Sequence, residues 1–332
     1  MTAKVGIAGY FAGRPAQSVW ITRLHLRGFY GYGSLDLAGL ACTPMVFYGP
    51  NGAGKTNLMD AVSLLAPGHG LRSAPSAGSG YHIAADTSAG DKIQTGLRPD
   101  SGRRLVKING REVKAQDELS GCLIVWWLTP QLDKLLSGEP AARRRFFNRL
   151  IAGLAPRYHR HLRRYQHLQA SLAQINDADW AAATSDLLDA ENRHIFQIRR
   201  QVLDLLNENN DKILISLAPN DDSAPAHLAD FMVQARDNGR AAKKSSTGEQ
   251  KDMVLDVFFS AVRLLGKTSG RAPVLILDDV AAFLDSDRRQ QVFQTLAALK
   301  VQAWLTGTDR PLFDGCPDAR YFKVDGHQVN PE

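Results

Sequence analysis

Four apolar residues, Met45-Val46-Phe47-Tyr48, run without a break into Gly49-Pro50-Asn51-Gly52-Ala53-Gly54-Lys55-Thr56. Behind them Leu58, Ala61, Val62 and Leu65 recur at i, i+3, i+4 and i+7, the spacing of a helix buried on one face. Strand, G-x-x-x-x-G-K-[ST] and helix in that order form a P-loop, and few folds can carry one. The glycines let backbone N–H groups turn inward around an anion where a Cβ would obstruct them. The helix N-terminus adds a dipole that favours phosphate. All eight residues, Gly49 through Thr56, are therefore candidate nucleotide contacts. Lys55 is placed to reach the β- and γ-phosphates, and the Thr56 hydroxyl to sit on a Mg²⁺ ion.

A P-loop needs an acidic partner strand. Val274–Leu277 is apolar throughout and ends in Asp278-Asp279, so the first carboxylate emerges at the carboxyl end of a buried strand, where ligands bind in open α/β sheets. Asp278 is assigned to the Mg²⁺ shell and Asp279 to polarising the attacking water. Thr306-Gly307-Thr308-Asp309 follows the apolar run Gln302–Leu305 and takes the place of a switch that senses the γ-phosphate.

The 332 residues carry 40 Lys+Arg against 34 Asp+Glu, a net +6 that permits a polyanionic partner without requiring one. With 44% hydrophobic and 22% charged residues, the chain has ordinary globular composition, which excludes disordered, collagenous and coiled-coil classes. Cys42, Cys122 and Cys316 are scattered and odd in number, so neither a disulfide framework nor a zinc ribbon is indicated, and a reducing, cytoplasmic setting is expected. No apolar run reaches the roughly 18 residues of a membrane span.

Met1–Ser18 reads as a loose tail. Ile21–Phe29 and Ser34–Leu40 alternate apolar and polar residues and predict a hairpin, whereas 67–102 gives only a looped signal. Leu105–Ile108, Asn109-Gly110 and Glu112-Val113 predict a second hairpin, and Leu123–Leu128 a strand. From Pro140 to Leu217 the pattern is helical, including a long run over Asp186–Leu217, and Ala218–Ala226 marks the return. The expected architecture is an α/β head from residues 19–129 and 230–329, interrupted by a helical lobe over 130–225.

Ser245-Ser246-Thr247-Gly248-Glu249-Gln250-Lys251 opens a further helix with the composition of an N-cap. The order of P-loop, helical insertion, Ser-x-Gly-Glu, acidic strand and Leu284-Asp285 resembles ATP-binding-cassette ATPases. In that class this element of one subunit caps the γ-phosphate on the P-loop of the other, which makes Ser246, Gly248 and Glu249 trans-acting candidates. A finer resemblance rests on Leu24–Phe29 with Lys55–Ala61, Ile108–Gly110, Pro140–Phe147 with its triple arginine, Pro156–Tyr158, Ser246–Lys251 and Leu277–Asp285. Together these resemble the RecF family of recombination and repair ATPases.

The resemblance implies an ATPase head of the kind found in chromosome-maintenance (SMC) proteins, with ATP and Mg²⁺ as cofactors. It also implies slow, DNA-stimulated hydrolysis and ATP-dependent dimerisation on double-stranded or gapped DNA. RecR and, indirectly, RecA are the implied partners, in gap repair, replication and the SOS response. Another SMC-like head, nuclease-associated or chromosome-structuring, is the alternative within the superfamily; outside it stands a non-hydrolysing DNA-binding scaffold that nucleotide merely stabilises. Three segments depart from the family pattern. Phe29-Tyr30-Gly31 replaces Phe-Arg-Asn, Thr129–Asp133 replaces Ser-Pro-Glu-Asp-Leu, and Gly-Pro-His-Arg-Asp has no counterpart in Ala218–Ala226.

Arg143, Arg144, Arg145, Arg149, Arg157, Arg160, Arg163 and Arg164 lie in a stretch with few acids and are candidate phosphate contacts, as are Lys243 and Lys244. His159, His161 and His167 share that stretch, with no nearby acid or cysteine to complete a metal set.

Overall fold

The computed structural model describes residues 18–72, 80–98, 101–113, 116–130, 132–218, 225 and 228–332. The tail expected before residue 18 and most of the return segment at 218–226 lie outside them. In chain order the elements begin with β1 (Ile21–Phe29), β2 (Tyr32–Ala38), β3 (Pro44–Tyr48), α1 (Lys55–Ser63), β4 (His82–Thr87), β5 (Lys92–Leu97), β6 (Arg104–Ile108) and β7 (Arg111–Glu112). There follow α2 (Leu119–Cys122), β8 (Val125–Leu128), α3 (Leu132–Leu135), α4 (Pro140–Leu154), α5 (Tyr158–Leu172), α6 (Ala178–Glu208), β9 (Ile213–Leu217) and β10 (Phe231–Ala235). The chain closes with α7 (Thr247–Ser269), β11 (Val274–Leu277), α8 (Ser286–Leu299), β12 (Ala303–Gly307), β13 (Arg320–Asp325) and β14 (Gln328–Pro331).

These divide into two compact units, one whose described part lies within residues 18–130 and 270–332 and one whose described part lies within residues 132–269. The first unit is the α/β head. Its central sheet runs β14-β13-β3-β12-β11-β8, parallel except for the final β13–β14 hairpin. β3, β11 and β12 are apolar and buried on both faces, as parallel strands under helices require. Phe47 on β3 stacks between Trp304 of β12 and Phe322 of β13, with ring centroids 5.0 and 4.8 Å away, which fixes the strand that feeds the P-loop.

A second, antiparallel sheet runs β2-β1-β4-β5-β6-β7. Leu24, Leu26, Leu35 and Leu37 turn inward from its hairpin and join Leu58, Met59 and Val62 of α1 in one apolar core. Asn109 and Gly110 both take positive φ, 52° and 80°, the geometry of a two-residue hairpin turn. β4 and β5 stand where the sequence predicts loop. Their alternation of Ile83, Ala85, Thr87, Ile93 and Thr95 inward is carried largely by small or polar side chains, which weakens the hydrophobic signal of a strand.

The other unit is mostly helical but not wholly so. α6 stops at Glu208, and the expected helix through Leu217 gives way to β9, paired antiparallel with β10. Asn210 forces the change: its Oδ1 accepts from the N–H groups of Lys212 and Ile213 at 2.9 and 3.1 Å, an Asx turn that competes with the helix. By contact, β10 and α7 belong to this unit, so the return to the head falls at Gly270 and not near residue 230.

Candidate functional site

The site grows from the carboxyl ends of β3, β11 and β12. Gly49 carries a φ of 154°, and a Cβ there would lie 2.0 Å from the Val324 carbonyl oxygen of β13. Gly54 caps α1 in the left-handed region (φ 106°), with the His327 ring and the Tyr32 hydroxyl where its Cβ would be. The loop is tied down on both sides. Gly49 N–H donates to the Gly307 carbonyl at 3.2 Å, His327 N–H to that of Ala53 at 3.0 Å, and Tyr32 O–H to that of Gly54 at 3.2 Å. Asn51 and Gly52 are exposed at the loop crest.

Lys55 is buried, and its ammonium donates to the carbonyls of Gly49 and Pro50 at 2.6 and 2.8 Å, spanning the loop from within. Burial pulls its pKa down, while the charges of Asp279, Asp278 and Asp309 oppose that shift. All three acids therefore lie within electrostatic reach of the amine. Thr306 links the first two: its hydroxyl donates to Asp278 Oδ1 at 2.8 Å and accepts from the Asp279 N–H at 2.6 Å.

Asp278 also accepts a hydrogen bond from Thr56, so the two residues read as metal ligands meet. Burial lifts its pKa, and the Thr306 and Thr56 hydrogen bonds restrain the rise. Asp279 stands at φ 54°, a conformation uncommon outside glycine. Its Oδ1 is buried without a hydrogen-bond partner. Burial raises its pKa too, against the pull of Lys55. A bare carboxylate oxygen beside a Thr–Asp pair is suited to a hydrated hard cation or an attacking water.

Arg72, which the sequence reading passed over, lies at the same place. Its guanidinium donates to Asn57 Oδ1 at 3.4 Å, its N–H to Asp60 Oδ1 at 3.0 Å, and its charge acts on Asp278. No local motif marks it. His327 was also missed, because only tertiary pairing carries it against Gly54.

Ser246 and Gly248 begin α7 in the other unit. Ser246 N–H and O–H both bond Glu249 Oε2, at 2.7 and 2.9 Å, and Glu249 N–H returns to Ser246 Oγ at 3.3 Å, a reciprocal capping box. The N–H bond from Ser246 is the main reason that Glu249 titrates below its ordinary value. Ser246 is nevertheless exposed, as a trans contact requires.

The basic stretch separates into two kinds of arginine. Arg143 is 1% exposed: it pairs with Asp230 through two hydrogen bonds and donates to the Leu136 and Gly138 carbonyls at 3.0 and 2.8 Å, so it serves the core. Arg157, Arg160, Arg163 and Arg164 are exposed along α5 and its cap, and Lys243 and Lys244 are exposed before α7.

A family model described as "AAA domain, putative AbiEii toxin, Type IV TA system" matches residues 45–301. The DNA replication and repair protein RecF of Rhizobium johnstonii is 32% identical, over 92% of this chain and 97% of that protein. RecF of Mesorhizobium japonicum is 33% identical, over 96% and 99%. The chain belongs to the RecF family. Among solved structures, the recombination mediator protein RecF-ATPrS of the RecFOR pathway superposes with a TM-score of 0.80 at 19% identity, covering 95% of this chain and 98% of that one. The Smc head domain from Pyrococcus furiosus follows with a TM-score of 0.56 at 14% identity, over 95% and 96%. The RecF fold thus accounts for nearly the whole chain as an SMC-type head with an inserted, mainly helical unit. No helix among the described residues is long and apolar enough to cross a membrane.

Proposed function

We propose that this RecF-family chain binds ATP with Mg²⁺, dimerises with two nucleotides held between heads, and acts as a clamp on double-stranded and gapped DNA during repair and replication. The carrying observation is the bare Asp279 Oδ1 set beside Lys55, Asp278, Thr306 and Thr56. In this reading the loop amides and Lys55 hold the β- and γ-phosphates, and Lys55 exchanges its two loop carbonyls for phosphate oxygens. Thr56 and Asp278 would hold Mg²⁺, which when bound offsets phosphate charge.

Asp279 Oδ1 accepts a proton from the water that attacks the γ-phosphorus, yielding ADP and phosphate. Its raised pKa makes it a stronger base than a solvated carboxylate. Thr306 holds both acids in register, and Arg72 supplies the positive charge in cis that Tyr30 does not. Ser246 and Gly248 cap the partner's γ-phosphate, and the exposed arginines of α5 contact DNA phosphates. RecR, and through it RecA, are the protein partners that RecF-family membership supports, within gap repair and the SOS response. Hydrolysis is slow and raised by DNA.

Sedimentation of Ser246→Arg with ATP and Mg²⁺ tests the clamp. The bulky cation enters the shared interface but not the cis pocket, so nucleotide binding persists while ATP-driven dimerisation is lost, because the differential affinity for the dimer is gone. A variant that dimerises like the wild type, or a wild type indifferent to ATP, refutes the sandwich and favours a nucleotide-stabilised DNA-binding scaffold.

A further inference from the structure

In the sequence, His159, His161 and His167 have no neighbouring acid to complete a ligand set. Folding supplies one from 30 positions away. α5 packs against α6, and there His161 Nδ1 lies 2.7 Å from Glu191 Oε2. His194 stands three residues beyond Glu191 on α6, hence on the same face. The His161 and His194 rings are 5.0 Å apart between centroids, tilted by 37°. Among the described residues this is the one group of three His, Cys, Asp or Glu side chains whose donor atoms all lie within 4.8 Å of one another.

We propose that His161, Glu191 and His194 form a binding site for a divalent transition-metal ion of the Zn²⁺ type, independent of the nucleotide site. Two imidazoles and one carboxylate are a donor set that Zn²⁺ takes with a fourth position left to water. Carboxylate and histidine at i and i+3 on one helix, with a further ligand from the neighbouring helix, is an arrangement that helical bundles use for metals.

The distances fit with little movement. Ligands about 2.1 Å from a tetrahedral ion stand roughly 3.4 Å from one another, so the His161–Glu191 pair opens slightly and the widest separation, within 4.8 Å, closes by at most about 1.4 Å. Exposed His194 can make that adjustment by a rotamer change.

The carboxylate is held in place for an ion. The Glu191 side chain is only 6% exposed, and a buried carboxylate needs positive charge near it. Arg164 Nε holds the other oxygen, Oε1, at 3.2 Å and leaves Oε2 for the ion. That contact orients the ligand, as outer hydrogen bonds do at metal centres. Bound there, the ion cross-links α5 to α6 beneath the exposed arginines of α5. The competing account is a His161–Glu191 hydrogen bond that joins the helices with no ion.

The test uses the whole chain, stripped of metal with EDTA, free of nucleotide, and kept in millimolar Mg²⁺ so that hard-cation sites are filled. Zn²⁺ is titrated against a chromophoric chelator of micromolar affinity. One equivalent is expected to compete with the chelator. His194→Ala and Glu191→Gln should each weaken binding at least tenfold, while His159→Ala and His167→Ala leave it unchanged. His194 is exposed, so its replacement keeps the fold, and circular dichroism verifies that. A visible d–d band of the Co²⁺ form, lost in His194→Ala, should accompany the site. A wild type that takes up no Zn²⁺ in competition, or a folded His194→Ala that binds it equally well, overturns the proposal.

Discussion

Arg143→Ala should be a stability mutant and not a DNA-binding mutant, although Arg143 opens the most basic run in the chain. Its guanidinium makes two bonds to Asp230 and one each to the carbonyls of Leu136 and Gly138, with 1% of the side chain exposed. Removing one member of a buried ion pair costs about 3–5 kcal/mol, mostly because the other charge is left unpaired. Asp230 is 20% exposed and can recover some hydration, so the lower end, about 3 kcal/mol, applies. That corresponds to a fall in Tm of roughly 4 °C for a chain of this size.

Thermal and urea unfolding measure the loss, and DNA affinity is read below the new Tm. Burial alone would raise the Asp230 pKa, but the Arg143 hydrogen bond, the Phe231 N–H and the charges of Arg143 and Lys243 outweigh it and hold the carboxyl below its ordinary value. Its stabilising contribution is therefore fully present above the ordinary value of 3.8 and is lost as pH falls through the lower folded value. Arg143→Ala should lose that part of the acid-side decline. An unchanged Tm with weakened DNA binding would refute the core assignment and return Arg143 to the DNA face.

Lys55→Ala should abolish binding of a fluorescent ATP analogue, since a methyl group neither reaches nor balances the β- and γ-phosphates; retained affinity would unseat the P-loop assignment. Asp278→Asn should keep nucleotide affinity within a few fold yet remove Mg²⁺-dependent turnover, and phosphate release at the wild-type rate would move the metal elsewhere. Gly49→Ala should lose nucleotide binding along with roughly 1–3 kcal/mol of stability, as its Cβ meets the Val324 carbonyl. A fully stable, ATP-competent Gly49→Ala chain would contradict that packing. Replacing Arg160 and Arg163 together by Ala should weaken duplex binding about tenfold and flatten its salt dependence with little change in Tm; an unaltered salt slope would remove α5 from the DNA face.

What could be read from the sequence was what the chain writes contiguously. The P-loop, the Asp278-Asp279 strand end and the Ser246 cap each fit within eight residues, and each stands where its flanking pattern places it. The strands β4 and β5 were hidden because Ala84, Ala85 and Gly96 give an alternation without hydrophobic contrast. β9 was hidden because Ile213, Leu214 and Ile215 prolong the apolar run of α6, and only the Asn210 turn breaks it. Partnerships across distance were out of reach: Arg143 finds its acid 87 positions on, and His161 finds its acid 30 positions on.

The order of strands in the central sheet has a consequence for synthesis. β3, which carries the P-loop, has β12 on one side and β13 on the other, and both come from the end of the chain. Gln302 adds a further tie, its amide bonding Ile21 N–H and carbonyl across 281 positions. At about 5–20 residues per second, β3 waits roughly 13 to 52 s after leaving the ribosome before β12, the first of its neighbours, is complete. Throughout that interval the exposed edges of an apolar strand are open to mispairing. A nascent chain that stalls within the inserted unit therefore offers a chaperone an unpaired Met45–Tyr48 strand.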